Sequence, residues 1–144
     1  MARAMEILGE RWTVLVLREV FLGIRRFEDI RLRTPAPRQV LSDRLRRLVD
    51  AGILVREPYQ EPGARARDEY RLTPKGFALY PVLVAIRDWG DTYLAGPEGS
   101  PLDIVHRDCG EPVHAELRCA AGHPLTDPRD ALPRPGRGAR PRAA

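Results

Sequence analysis

Arg38, Ser42 and Arg46 recur every four residues, with Gln39 and Asp43 beside them. On a helix, positions i, i+4 and i+8 share one face. Arginine offers a planar fork that bonds guanine O6 and N7 together, glutamine matches adenine in the same paired way, and a serine hydroxyl serves either base. Such a face can read base edges in a DNA major groove. Arg25 and Arg26 precede it, at the start of another helical pattern, and suit phosphate clamping. Arg65 and Arg67 follow a Pro62-Gly63 turn, where they could reach a neighbouring minor groove or its phosphates. A second constellation lies near the C-terminus. His106 and Cys109 form one close pair, Cys119 and His123 another, with Gly110 and Gly122 where a tight knuckle would turn. Zinc takes four N/S ligands in such paired layouts, and its role here would be structural, because the segment has few apolar residues. The competing reading is a short hairpin extension with incidental Cys and His. His114 is read as a surface histidine.

The elements that must hold these residues follow from periodicity. Residues 3–9 carry Met5 and Leu8 at helical spacing. Trp12 to Leu22 is apolar nearly all round, which predicts a buried helix stopped at Gly23. Residues 26–33 form a short helix with Phe27 and Ile30 inward. Pro35-Ala36-Pro37 forces a turn, with Pro37 suited to the first helical position. From 37 to 51, Leu41, Leu45, Leu48 and Val49 make the inward stripe of a helix closed by Gly52. Taken alone, it could be any amphipathic helix with a solvated charged face. The β-prone runs Ile53–Arg56 and Glu69–Leu72, joined through an arginine-bearing turn, change that judgement because they form a wing in the right order. Thr73-Pro74 opens another helix, broken or kinked at Pro81. Val82, Ile86, Trp89 and Tyr93 then form an apolar stripe, ended by Ala95-Gly96-Pro97.

Composition narrows the function. The chain has 144 residues, 43% hydrophobic and 31% charged, as an ordinary globular protein has. No run approaches the ~20 apolar residues of a membrane span, and no signal-peptide layout opens the chain, so a cytoplasmic location is expected. Residues 1–57 hold twelve basic against eight acidic residues, 58–128 seven against eleven, and 129–144 five against one. A basic N-terminal half beside an acidic middle fits a polyanion met by one face only. Arginine is nearly the sole base, Lys75 being the one lysine. A GC-rich genome would give the same bias. All three histidines lie between 106 and 123, and neither a nucleophilic triad order nor a phosphate-binding glycine loop occurs, so the chain is not read as an enzyme.

The blocks GERWTVLVLREVFLGIRRFEDI, VLSDRLRRLVDAGILVREPYQ, EYRLTPKG and IRDWGD stand in the order and spacing of the HxlR family of bacterial winged helix-turn-helix regulators, which the chain resembles over residues 2 to about 95. The resemblance implies a mainly α fold with a small β-hairpin. It also implies a homodimer, built on the terminal helices through Met5, Leu8, Val82, Ile86, Trp89 and Tyr93, that binds a palindromic operator in double-stranded DNA. The alternative is a winged-helix adaptor that contacts proteins without reading DNA sequence. Family members commonly carry a cysteine before the first helix. This sequence begins at Met1-Ala2-Arg3, already inside the matching pattern, so either its start lies a few residues late or this member lacks that cysteine, and no redox-sensing role is assigned. Some longer relatives carry an H-x2-C-G element followed by C-x2-C-G, and the present chain departs from that at Gly122, leaving His123 as the substitute ligand. The expected organisation is a DNA-binding and dimerisation domain over 1–96, a small Cys/His extension over 97–128 and an Arg/Pro-rich disordered tail over 129–144. No cofactor is required, zinc in the extension being the one candidate. A small-molecule effector of unidentified class completes the expected partners, and no membrane is among them.

Overall fold

The computed structural model describes residues 1–63 and 65–139. The chain divides into two compact units, 1–103 and 104–144. The first holds α1 (Ala2–Leu8), α2 (Arg11–Phe21), α3 (Phe27–Arg33), α4 (Arg38–Asp50), β1 (Leu54–Tyr59), β2 (Arg67–Leu72), α5 (Pro74–Phe77) and α6 (Tyr80–Tyr93). Each boundary has a local cause. Gly23 and Gly52 follow the ends of α2 and α4 as the sequence predicts. Pro37 is the N-cap of α4 rather than its first residue: its ψ of 142° is extended, so helical geometry starts one position later, at Arg38. The helix opened at Thr73-Pro74 is broken just before Pro81: α5 ends at Phe77, the chain turns at Ala78-Leu79, and Pro81 occupies the first turn of α6, where its missing N–H costs nothing.

Val16, Leu17, Val20, Ile30, Leu41, Leu45, Leu48, Ile53 and Leu54 form the core, drawn from α2, α3, α4 and the start of the hairpin. The stripe predicted on α4 is therefore the one buried. Val49 packs at its edge. α2 is the buried helix that the apolar run predicts: it hides Thr13, Val16, Leu17, Glu19 and Val20, and within it Arg11 and Arg18 alone are exposed. Glu19 is buried with its carboxylate accepting from Arg18 Nε at 2.8 Å, as a buried charge requires.

β1 and β2 pair antiparallel from Leu54↔Leu72 to Tyr59↔Arg67. A third segment joins them: Arg26 bridges Glu69, and Tyr70 N donates to Arg25 O at 2.8 Å. The link between α2 and α3 is thereby fastened to the wing, which fixes the wing beside α4. The Thr73-Pro74-Lys75-Gly76 turn fastens the other end. Thr73 Oγ1 accepts from Gly76 N and donates to Gly52 O at 2.7 Å, while Lys75 Nζ donates to Ala51 O at 2.6 Å. Both bonds satisfy carbonyls at the C-terminal end of α4, where a cation also meets the negative end of the helix dipole.

This contact has no room for a side chain at Gly76. A Cβ there would lie 2.3 Å from Ile53 O and 2.9 Å from Leu72 Cδ2. Helix propensity alone would make Gly76→Ala stabilising by about 0.5–1 kcal/mol. The close approach reverses the sign, and we expect a loss of about 1–3 kcal/mol, as for other overpacked sites. Urea unfolding decides between the two: a raised midpoint would mean that the turn is not seated on the Ile53 carbonyl.

The second unit has no buried residue among those described. Its regular structure consists of the bridges Val105↔Pro112 and Arg118↔Pro124 and a 3-10 turn, Pro128–Asp130, capped by Asp127. The first unit runs on past Gly96 to Asp103, with local turn bonds at Gly96–Gly99 and Ser100–Leu102. Of the tail expected over 129–144, residues 131–139 are exposed without regular structure, and 140–144 lie outside the described residues.

Candidate nucleic-acid interface

α3 and α4, joined by Thr34–Pro37, form a helix-turn-helix, and the β1–β2 wing stands beside it. Burial of Leu41, Leu45 and Leu48 turns the opposite face of α4 outward, and Arg38, Gln39, Ser42 and Arg46 are all exposed on it. Arg38, Gln39 and Ser42 line a shallow hollow with Phe27, at the N-terminal turns that a recognition helix presents first to a groove. A larger open groove of about 640 Å³ runs from Arg38 and Phe27 across to Tyr59, Arg65 and Arg67 on the wing. The groove of Arg38, Arg65 and Arg67 shares Arg38 and Phe27 with the hollow of Gln39 and Ser42, whereas Arg46 is exposed but lines neither. Among the described residues Arg25, Gln39, Ser42, Arg65 and Arg67 take part in no ion pair.

Three predicted DNA contacts are already engaged within the chain. Arg38 Nη1 donates to Glu28 Oε1 at 2.6 Å, and its guanidinium lies 4.9 Å from the Phe27 ring centroid. Arg46 donates to Asp43, which also receives Arg47 Nε at 2.9 Å. Arg26 pairs with Glu61 at 2.6 Å and stacks 4.5 Å from the Tyr59 ring centroid, which fastens it to the wing. The carboxylates respond. Bonds from Arg31 and then Arg38 hold the Glu28 carboxyl below its ordinary range, and the bond from Arg46 does the same for Asp43. All these groups are well solvated, so the pairs orient side chains more than they stabilise the fold. Sequence reasoning did not identify Glu28 or Asp43 as partners. Asp43 lies three residues before Arg46, a spacing that signals a helical ion pair. Glu28 meets Arg38 only across the turn, which no spacing rule reports.

The residues expected at a dimer interface divide. Val82, Ile86, Trp89 and Tyr93 are 43%, 49%, 58% and 70% exposed on α6, and Met5 is exposed on α1. Val84 is the one buried residue of α6. Leu8 is partly buried and packs against the core of its own subunit.

In the second unit, His106 and Cys109 face each other, as do Cys119 and His123, each pair on its own turn. Among the described residues no group of three His, Cys, Asp or Glu side chains is placed to hold one metal ion.

The profile of the HxlR-like helix-turn-helix family matches residues 7–97. An HTH-type transcriptional regulator of Mycobacterium tuberculosis strain H37Rv is 44% identical over 137 residues, covering 94% of this chain and 85% of its own. Among solved structures, PA1607, a candidate transcription factor, superposes with a TM-score of 0.80 at 39% identity, covering 94% of this chain and 92% of its own. The reduced form of the transcriptional regulator YodB from B. subtilis aligns at 29% identity with a TM-score of 0.55, covering 69% of this chain and 95% of that one. No helix among the described residues is long and apolar enough to cross a membrane.

Proposed function

The chain belongs to the HxlR-like helix-turn-helix family of transcriptional regulators, and from that premise we propose that it acts in the cytoplasm as a homodimer on a palindromic operator, with α4 in the major groove. The observation that carries this reading is the joint exposure of Arg38, Gln39 and Ser42 at the first turns of α4, beside a wing whose Arg65 and Arg67 are exposed on the same side. An adaptor surface would be richer in apolar or acidic groups there. Base edges fall to Arg38, Gln39 and Ser42. Phosphates or the minor groove fall to Arg65, Arg67 and Arg25. Arg46, one turn beyond Ser42, reaches DNA after exchanging Asp43 for a phosphate or base. A small-molecule effector would act by changing the spacing of the two α4 helices.

Selection from random duplexes tests the reading. The expected product is an inverted repeat whose half-sites are centred about 10–10.5 base pairs apart or a multiple of that. Recovery of unrelated sequences at every salt concentration would instead favour the adaptor. Within the selected operator, Arg65→Ala should weaken binding evenly across base substitutions. It should also lower the slope of log affinity against log salt by about one per wing, because one phosphate contact and its displaced counterion are lost. An unchanged slope would remove Arg65 from the phosphate contacts.

A further inference from the structure

The wing is braced within itself. Arg56 Nε and Nη2 donate to Asp68 Oδ2 at 3.0 and 2.6 Å across the two strands, and Arg71 Nε lies 2.9 Å from Glu57 Oε2. The pose of such a hairpin depends on where it is fastened. Its base is seated on the core through Leu54, with Tyr70 and Leu72 beside it. The ladder then runs three pairs further, from Arg56↔Tyr70 to Tyr59↔Arg67. At the rise of an extended strand, that carries the far end about 10 Å past the last core contact. Arg67 begins β2 at that far end, and Arg65 lies just before it.

One side chain of the helix-turn-helix reaches this far end. The backbone of Arg26 is fixed twice, as the N-cap of α3 and as the bridge partner of Glu69. Its guanidinium meets two successive parts of the wing. Arg26 Nη1 lies 2.6 Å from Glu61 Oε1, and the guanidinium carbon stands 4.5 Å from the Tyr59 ring centroid. Tyr59 pairs directly with Arg67 across the ladder, so holding Tyr59 also fixes the backbone that carries Arg67. Arg26, Tyr59 and Glu61 line the same groove as Arg38, Arg65 and Arg67. The ion pair is exposed, Arg26 at 44% and Glu61 at 54%, so it contributes little to stability. What it fixes is direction.

We propose that Glu61 is a positioning residue for DNA binding, a role that rests on the chain's acting as a DNA-binding regulator. Through Arg26 and Tyr59 it sets the wing against the helix-turn-helix, so that Arg65 and Arg67 meet phosphates while α4 occupies the major groove. The wing is then ordered before DNA arrives, and its phosphate contacts form with less loss of conformational freedom. Arg26 acts through the wing and spends its own charge on Glu61.

Two substitutions keep every charge and loosen the tie. Glu61→Asp shortens the carboxylate arm by one methylene, and Arg26→Lys removes the planar fork and the flat face that stacks on Tyr59. Fluorescence anisotropy of the full chain on its selected operator, over a series of salt concentrations, reads both. Each variant should bind more weakly, and the slope of log affinity against log salt should fall by about one per wing. The profile of base-pair substitutions read by α4 should not change, and hydroxyl-radical protection should be lost only where the wing lies. In a chain already carrying Arg65→Ala and Arg67→Ala, neither substitution should weaken binding further, because the contacts that they position are gone. Wild-type affinity and slope in both variants would overturn the proposal. So would a further loss in the Arg65→Ala, Arg67→Ala background, which would make the tie a general support of the fold. Tighter binding with a steeper slope in Glu61→Asp would overturn it too, by making Arg26 a phosphate clamp that Glu61 holds back. A wild-type chain that binds no duplex would overturn the regulator reading as well, whereas variants that match a DNA-binding wild type would overturn the role of Glu61 alone.

Discussion

Arg38→Ala lowers affinity for the selected operator by about 1–3 kcal/mol at each half-site and flattens discrimination at one base pair. The proposed dimer would carry the change twice, so if the two half-sites are read independently the total loss should be roughly the sum, about 2–6 kcal/mol. The size of the effect comes from geometry. Arg38 sits on the first turn of α4 and is two-thirds exposed, with its guanidinium stacked near Phe27 and held by Glu28. The head group is therefore already oriented before DNA arrives, and little rotamer entropy remains to be lost on binding. Glu28 also sets a cost, because the bond it accepts from Arg38 must be exchanged for one to a base. Glu28→Gln removes the charge while keeping the shape. It should tighten binding to many sequences and narrow the gap between operator and random DNA, since a negative charge near the phosphates is gone and the Arg38 head is less fixed. Fluorescence anisotropy over a panel of single base-pair substitutions measures both variants. Wild-type affinity and an unchanged substitution profile in Arg38→Ala would remove α4 from the role of reading helix.

Periodicity made the helix-turn-helix legible because burial on one face of α4 has a strict spacing. Leu41, Leu45 and Leu48 could hardly point inward without turning Arg38, Gln39 and Ser42 outward. The wing was legible from its turn chemistry, and the α5 turn from Thr73-Pro74. The ion pairs were not. Glu28 to Arg38 and Arg26 to Glu61 join residues from different elements, and their meeting depends on how α3 and the wing are set against α4. The same holds for the seating of Gly76 on Ile53 O. In sequence Gly76 resembles an ordinary helix breaker; in the fold it is the point where backbone meets backbone. Leu8 and Met5 teach the converse. Both fit one apolar pattern, yet Leu8 is partly buried in the subunit and Met5 is left outside, because a short helix can rotate on its support without breaking any spacing rule.

The α6 stripe carries the second large effect. A fourteen-residue helix that buries only Val84 leaves Val82, Ile86, Trp89 and Tyr93 as a continuous apolar strip, with the Trp89 and Tyr93 rings 5.8 Å apart. Arg87, paired with Asp88 and Asp91, lies beside the strip, so its charge is already balanced within the helix. A second copy of the chain is the occupant that suits such a surface, because a two-fold axis sets each strip against its own image. Ile86→Glu should abolish the pairing. A carboxylate placed in the middle of this apolar strip would have to be desolvated without a partner if the strip is covered by a second copy. Ile86 is half exposed, so the subunit itself should fold as before. Sedimentation should then give a mass near 16.2 kDa in place of twice that value. Operator affinity should fall by about 10²–10⁴-fold, the gain that linking two half-site readers normally supplies. Binding to an isolated half-site should not change, which separates lost pairing from lost folding. A wild-type chain sedimenting at 16.2 kDa at micromolar concentration, or an Ile86→Glu chain that still binds the full operator as tightly as wild type, would mean that α6 covers something other than its own copy.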